Sequence, residues 1–170
     1  AASDVYKRQA YEQVFTDAAA FEEVEMDDTL IQTIRDQLDQ EGYKAQSIEE
    51  VMRAEDQSGE TLGYAFTVVT SEGYGGDIQF SMGVQNDGTL NGISILSIGE
   101  TAGLGMNADT PAFKDQFVGK QVEKLQYTKN GATQDDEINA ISGATVTTNA
   151  MTNGVNAGLC AFRVMEGGDQ

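Results

Sequence analysis

The sequence predicts an α+β fold: a single domain in which an antiparallel sheet packs against helices. Strand-like runs follow one another between residues 62 and 98, joined by turn signals. Helical periodicity brackets them at both ends, and no internal repeat or linker-like shift of composition divides the 170 residues. The length suffices for one real core, and a hydrophobic fraction of 39% suits a globular chain.

The nine opening residues, Ala1 to Gln9 (AASDVYKRQ), show no apolar periodicity and are expected to be a non-native tail. The domain is then expected to span residues 10–170, with a native N-terminal membrane anchor absent from this chain. Residues 10–21 look helical, with Val14 and Phe15 as core candidates. A clearer helix is predicted over 28–41. Asp27 or Asp28 can cap it, Leu30, Ile34 and Leu38 line one face, and Gly42 ends it. Residues 49–54 are a strand candidate, Asp56-Gln57-Ser58-Gly59 a turn, and residues 62–70 a strong β run.

Ile78, Phe80, Met82 and Val84 alternate strictly, which predicts a half-buried strand. Asn86-Asp87-Gly88 signals a hairpin, and residues 90–98 return as the next strand. Pro111 opens a short helix through Phe113 and Phe117, ended by Gly119. Residues 121–128 read as a strand, and Asn130-Gly131 as a turn. The last helix is predicted from the Ser142-Gly143-Ala144-Thr145 segment to about Met165, with Met151, Val155, Leu159 and Phe162 as its apolar stripe.

Charge and absent residue types narrow the chemistry. Ten Lys and Arg against 28 Asp and Glu give a net charge of −18. Such a surface repels phosphate backbones and anionic leaflets, so neither nucleic acid nor basic membrane docking is expected. With no histidine, Ser-His-Asp and Cys-His catalysis and His-ligated metals are excluded. Cys160 is the sole cysteine, so no internal disulfide or cysteine cluster forms, and no metal is expected. No apolar run approaches the roughly 20 residues of a membrane span.

Three segments stand out. Gly73-Tyr74-Gly75-Gly76 lies between two strands and reads as a turn with a bulge. Glu100-Thr101-Ala102-Gly103-Leu104-Gly105 is too long for a tight turn and too apolar for a solvent loop. It is either a packed Ω-loop or a wall of a pocket for a flat ligand, since two glycines permit close approach and Leu104 offers an apolar face. Ser142 to Thr148 runs small residues into hydroxyls at a helix start. That is either an ordinary capping sequence or an anion site suited to phosphate.

Ser142-Gly143-Ala144-Thr145 resembles the flavinylation motif of the FMN-binding domain family, as found in the G subunit of the Rnf complex and the C subunit of the sodium-pumping NADH:quinone oxidoreductase. Gly73 to Ile78, Glu100 to Gly105, Phe117 to Lys120 and Asp136 to Ile141 look like Rnf G-subunit segments in the same order, so the resemblance covers roughly residues 10–165. The Gly-Tyr-Gly-Gly element favours the Rnf protein of the two. Two positions depart from the pattern: Asn139 stands where the motif usually has Asp, and Ala102 where the family usually has Pro.

The resemblance implies FMN joined through its phosphate to the Thr145 hydroxyl by a dedicated flavin transferase. It implies cofactor contacts from Ser142, Gly143, Ala144, Thr147, Glu100, Thr101, Gly103, Leu104 and Gly105, with Glu100 and Thr101 as polar contacts and Leu104 against the ring face. Lys120 is a candidate cation for the phosphate. The implied function is an electron-transfer relay in an ion-translocating ferredoxin:NAD oxidoreductase, on the extracytoplasmic side of a bacterial membrane, with the other membrane subunits as partners and no catalytic residue of its own. A free-standing extracytoplasmic flavoprotein and a flavin-free binding module on the same fold are the alternatives.

Overall fold

The computed structural model describes residues 4–168. Helix α1 (Asp4–Val14) opens it, followed by strand β1 (Ala20–Glu23) and helix α2 (Asp28–Glu41). Strands β2 (Gln46–Glu55), β3 (Thr61–Thr70), β4 (Ile78–Gln85) and β5 (Leu90–Ser97) come next. They form with β1 one antiparallel sheet in the order β1-β2-β3-β4-β5. Beyond it lie a 3₁₀ turn (Gly105–Asp109), helix α3 (Pro111–Lys114), a second 3₁₀ turn (Asp115–Phe117), and the short strands β6 (Gln126–Thr128) and β7 (Glu137–Asn139). Helix α4 (Thr145–Gly168) closes the chain. The expected α+β class with an antiparallel sheet and a C-terminal helix is what the structure has.

Local chemistry explains the best-predicted elements. The Asp27 side chain accepts the Leu30 N–H at 2.8 Å, and Gly42 ends α2 in the left-handed conformation at φ 91°. Asp87 accepts the Thr89 N–H to tighten the β4–β5 turn.

The structure departs from the expected elements in several places. The helix over 10–21 in fact runs from Asp4 to Val14, and residues 20–23 are extended. Strand β1 has no inward alternation and is held by backbone pairing with β2, which leaves no apolar signature. Of the nine opening residues expected to be a non-native tail, the first three lie outside the described residues, and the other six belong to α1. Strand β4 is buried on both faces rather than one. Its Phe80, Met82 and Val84 share a core with Met151 and Val155 of α4, while α1 covers the other side with Tyr11 and Val14, joined by Phe15 just past its end.

Residues 121–125 do not join a strand. The Leu125 N–H donates to Asn156 Oδ1 at 2.7 Å, and Asn156 Nδ2 donates back to the Leu125 carbonyl at 2.8 Å, so a buried side-chain amide on α4 replaces a neighbouring strand. In α4 the single apolar stripe understates the burial. Between Thr147 and Phe162 only Asn149 and Asn153 are not buried, because the sheet and α2 both pack on this helix. No helix among the described residues is long and apolar enough to cross a membrane, and no group of three or more His, Cys, Asp or Glu among them could hold a metal ion.

Cys160 sits on α4 with its thiol donating to Glu41 at 3.4 Å. Burial, reinforced by the Glu41 charge, pushes the thiol up to about 12. Alkylation of Cys160 at pH 8 is therefore expected to run at least about a thousandfold slower in the folded chain than in denaturant, measured by mass spectrometry after timed quenching. Equal rates would show the thiol to be accessible.

Candidate functional site

The site forms where three separated segments meet at the first turn of α4. The entry to that helix is clasped by Thr148, whose hydroxyl accepts the Ile141 N–H at 3.0 Å and donates to the Ala144 carbonyl at 2.9 Å. The Ala144 N–H closes a turn onto the Ile141 carbonyl at 3.0 Å. Gly143, inside this turn, has φ 74°, a left-handed conformation that disfavours any other residue. A side chain there would also meet Leu104, whose Cδ2 lies 3.0 Å from where a Cβ would stand.

The loop carrying Leu104 is folded on itself. The Thr101 carbonyl accepts the N–H of Leu104 at 3.1 Å and of Met106 at 3.0 Å. Gly105 presses so closely on α4 that a Cβ would fall 2.5 Å from Thr147 Oγ1 and 2.7 Å from Glu100 Cβ. The segment is a packed loop, and Thr101, Leu104 and Gly105 of it line a cavity.

Glu100 joins the three segments. It is only 8% exposed. Its Oε1 accepts the Tyr74 N–H at 2.8 Å and the Thr147 hydroxyl at 2.7 Å, and its Oε2 accepts the Gly75 N–H at 2.5 Å. Its carboxylate thus stands behind the wall as a brace, and Glu100 is not among the lining residues.

The cavity holds about 660 Å³, within the ~300–1,000 Å³ usual for small-molecule sites. Gly143, Ala144, Thr145 and Thr147 line it from the helix side, Thr101, Leu104 and Gly105 from the loop side. Tyr74 and Val146, neither expected from the sequence, complete it. Their signal was slight: Tyr74 is the one side chain among Gly73–Gly76, and Val146 is an apolar residue at a polar helix start. Gly103 and Ser142 are exposed beside the cavity without lining it. A larger cavity of about 860 Å³ lies under α1. Within it Gln79 pairs with Glu49 and Ser94 with Gln13, and none of the three glycine-bearing segments reaches it.

The three threonines of the helix start differ in one decisive respect. Thr147 and Thr148 commit their hydroxyls to Glu100 and to the clasp. The Thr145 hydroxyl has no hydrogen-bond partner among the described residues and belongs to the cavity wall. The first N–H groups of a helix have no intrahelical acceptor and stand at its positive end, so an anion at Thr145 would be favoured there.

Asn139 ends β7. Its Oδ1 accepts the Ala132 N–H at 2.7 Å, and Gln116 bonds its backbone N–H and carbonyl at 2.6 and 3.2 Å. The oxygen shared by Asn and Asp does this work in shaping the approach to the motif. Lys120 pairs through its backbone with Leu90, at the opposite end of β5 from Glu100, and is not a lining residue.

The sequence pattern of the FMN-binding domain matches residues 73–159. Over 156 residues the chain is 33% identical to the G subunit of the Na⁺-translocating ferredoxin:NAD⁺ oxidoreductase complex of Acetobacterium woodii, covering 91% of this chain and 72% of that one. It is 38% identical over 98 residues to the G subunit of the proton-translocating ferredoxin:NAD⁺ oxidoreductase complex of Clostridium ljungdahlii, covering 58% of this chain and 52% of that relative. In three dimensions it resembles the crystal structure of the C subunit of the Na⁺-translocating NADH-quinone reductase from Parabacteroides distasonis. The TM-score is 0.57 at 24% identity, over 69% of this chain and 62% of the other, a likeness of fold.

Proposed function

The chain belongs to the FMN-binding domain family, and from that premise we propose that it carries FMN as a phosphoester on the Thr145 hydroxyl and serves as an electron relay in an Rnf-type ion-translocating complex. The observation that carries the proposal is the Thr145 hydroxyl, without a protein partner among the described residues, in the wall of a cavity at the N-terminus of a long helix. The residues fit the group. The helix end favours its phosphate, and Gly105 and Gly143 let the loop and the helix that line the cavity pack closely on one another.

Bound FMN supplies the electron chemistry. The chain's own residues do the rest. Thr145 fastens the phosphate, the first turn of α4 stabilises its charge, Leu104 and Val146 keep water from the site, and Thr101 offers a hydroxyl at the wall. On this reading the domain works on the extracytoplasmic face of a bacterial membrane. Its partners are the other membrane subunits of the complex, and a flavin transferase matures it.

The test is coexpression with a flavin transferase followed by intact-mass and peptide mass measurement. The expected result is a gain of one FMN less one water, mapped to Thr145. An unmodified chain, or a label on another residue, would sink the attachment.

Leu104→Asp is expected to leave the fold intact, because Leu104 is 43% exposed, while placing a charge in the wall. The flavin absorption bands should shift and its midpoint potential fall, since a nearby anion disfavours added electrons. An unchanged spectrum and potential would remove Leu104 from the flavin's surroundings.

A further inference from the structure

We propose that Tyr74 is an aromatic cover for the ring of the bound cofactor, and that Glu100 is the positioning residue that holds it against the helix carrying the attachment point. The inference rests on the flavin reading above and adds to it a residue contact and the device that sets it.

Three observations carry it. Tyr74 is 76% exposed yet lines the cavity, and it is the one side chain in a run of glycines. An aromatic residue so placed offers its face to a flat ligand and packs little against the protein. Second, its backbone is not free. The segment between β3 and β4 is pressed onto the loop after β5, where a Cβ at Gly75 would fall 2.2 Å from the Gly99 carbonyl oxygen. Third, the tether is long-range and shared. Glu100 Oε1 receives both the Tyr74 N–H and the Thr147 hydroxyl, so the aromatic wall and the helix wall hang from one oxygen atom. A buried carboxylate with three donors holds them in a fixed relation.

Tyrosine in contact with an isoalloxazine ring quenches its fluorescence by donating an electron to the excited ring and taking it back. The experiment therefore reads fluorescence yield per bound flavin in the transferase-loaded chain, with mass spectrometry giving the load. Tyr74→Leu is expected to raise the yield per bound flavin at least about threefold, because the aromatic contact is gone. Tyr74→Phe should keep the wild-type absorption bands while also brightening, since its ring stacks but donates poorly. Glu100→Gln keeps the shape and sets an amide donor against the N–H groups, so it should brighten the flavin in the wild-type background and add nothing in the Tyr74→Leu background.

A Tyr74→Leu yield equal to wild type overturns the cover. An equal effect of Glu100→Gln in both backgrounds overturns its action through Tyr74. If mass spectrometry finds no attached flavin, the covalent reading fails by itself. The same yields are then read with free FMN titrated to saturation, where wild-type quenching lost in Tyr74→Leu supports the cover and unquenched wild type overturns it.

Discussion

Thr145→Ala is expected to abolish covalent flavin altogether, with no FMN mass detected after coexpression with a flavin transferase. The neighbouring threonines matter as much as Thr145 itself. Thr147 and Thr148 lie two and three residues on, yet their hydroxyls are held by Glu100 and by the Ile141–Ala144 clasp, so neither can take over as acceptor. Ser142 is exposed but does not line the cavity. Thr145→Ser keeps a hydroxyl at the same place and should keep partial loading. Loading of Thr145→Ala at the wild-type level would move the attachment elsewhere, and peptide mapping would find where.

The second large effect is on stability. Glu100→Ala strands three donors at once: the Tyr74 and Gly75 N–H groups and the buried Thr147 hydroxyl. An unsatisfied buried donor costs about 1–3 kcal/mol, and the N–H groups of the exposed Tyr74 and Gly75 can turn in part to water, so the sum should be about 2–4 kcal/mol. For a chain of this length that lowers Tm by on the order of 10 °C, readable by calorimetry. Glu100→Gln retains one accepting oxygen and should lose about half as much. A Tm for Glu100→Ala within about 2 °C of wild type would mean that water replaces the carboxylate at all three donors.

The elements most legible in the sequence are those whose signal is local. Helix α2 has its apolar face, its Asp27 cap and its Gly42 stop within sixteen residues, and it folds as those residues imply. The alternation in β4 reported one covered face. The second face shows Gln79, Ser81 and Gly83, and its cover is α1, whose first six residues carry no apolar stripe. Strand β1 and residues 121–125 are not legible in the sequence, because backbone pairing and one asparagine amide organise them, and neither leaves a hydrophobic period.

The candidate site divides the same way. Its small residues and hydroxyls are visible as unusual runs, and the structure gathers the Thr101–Gly105 and Gly143–Thr147 segments around one cavity. The part played by Glu100 was hidden, since it acts on backbone N–H groups some 25 residues earlier in the chain, which no side-chain pattern announces. Tyr74 was hidden for the same reason: only the brace brings its segment to the helix.

Helix α4 is buried along most of its length, and Thr145 is its first residue. A chromophore fastened there is rooted in the most shielded element of the molecule. Its emission would depolarise at the tumbling rate of the whole body, not at the faster rate of a loop or a loose tether. Time-resolved anisotropy of the loaded chain should therefore be dominated by a single slow rotational component. On heating, that component and the helical circular dichroism should vanish in one transition, because the mast and the core are the same helix.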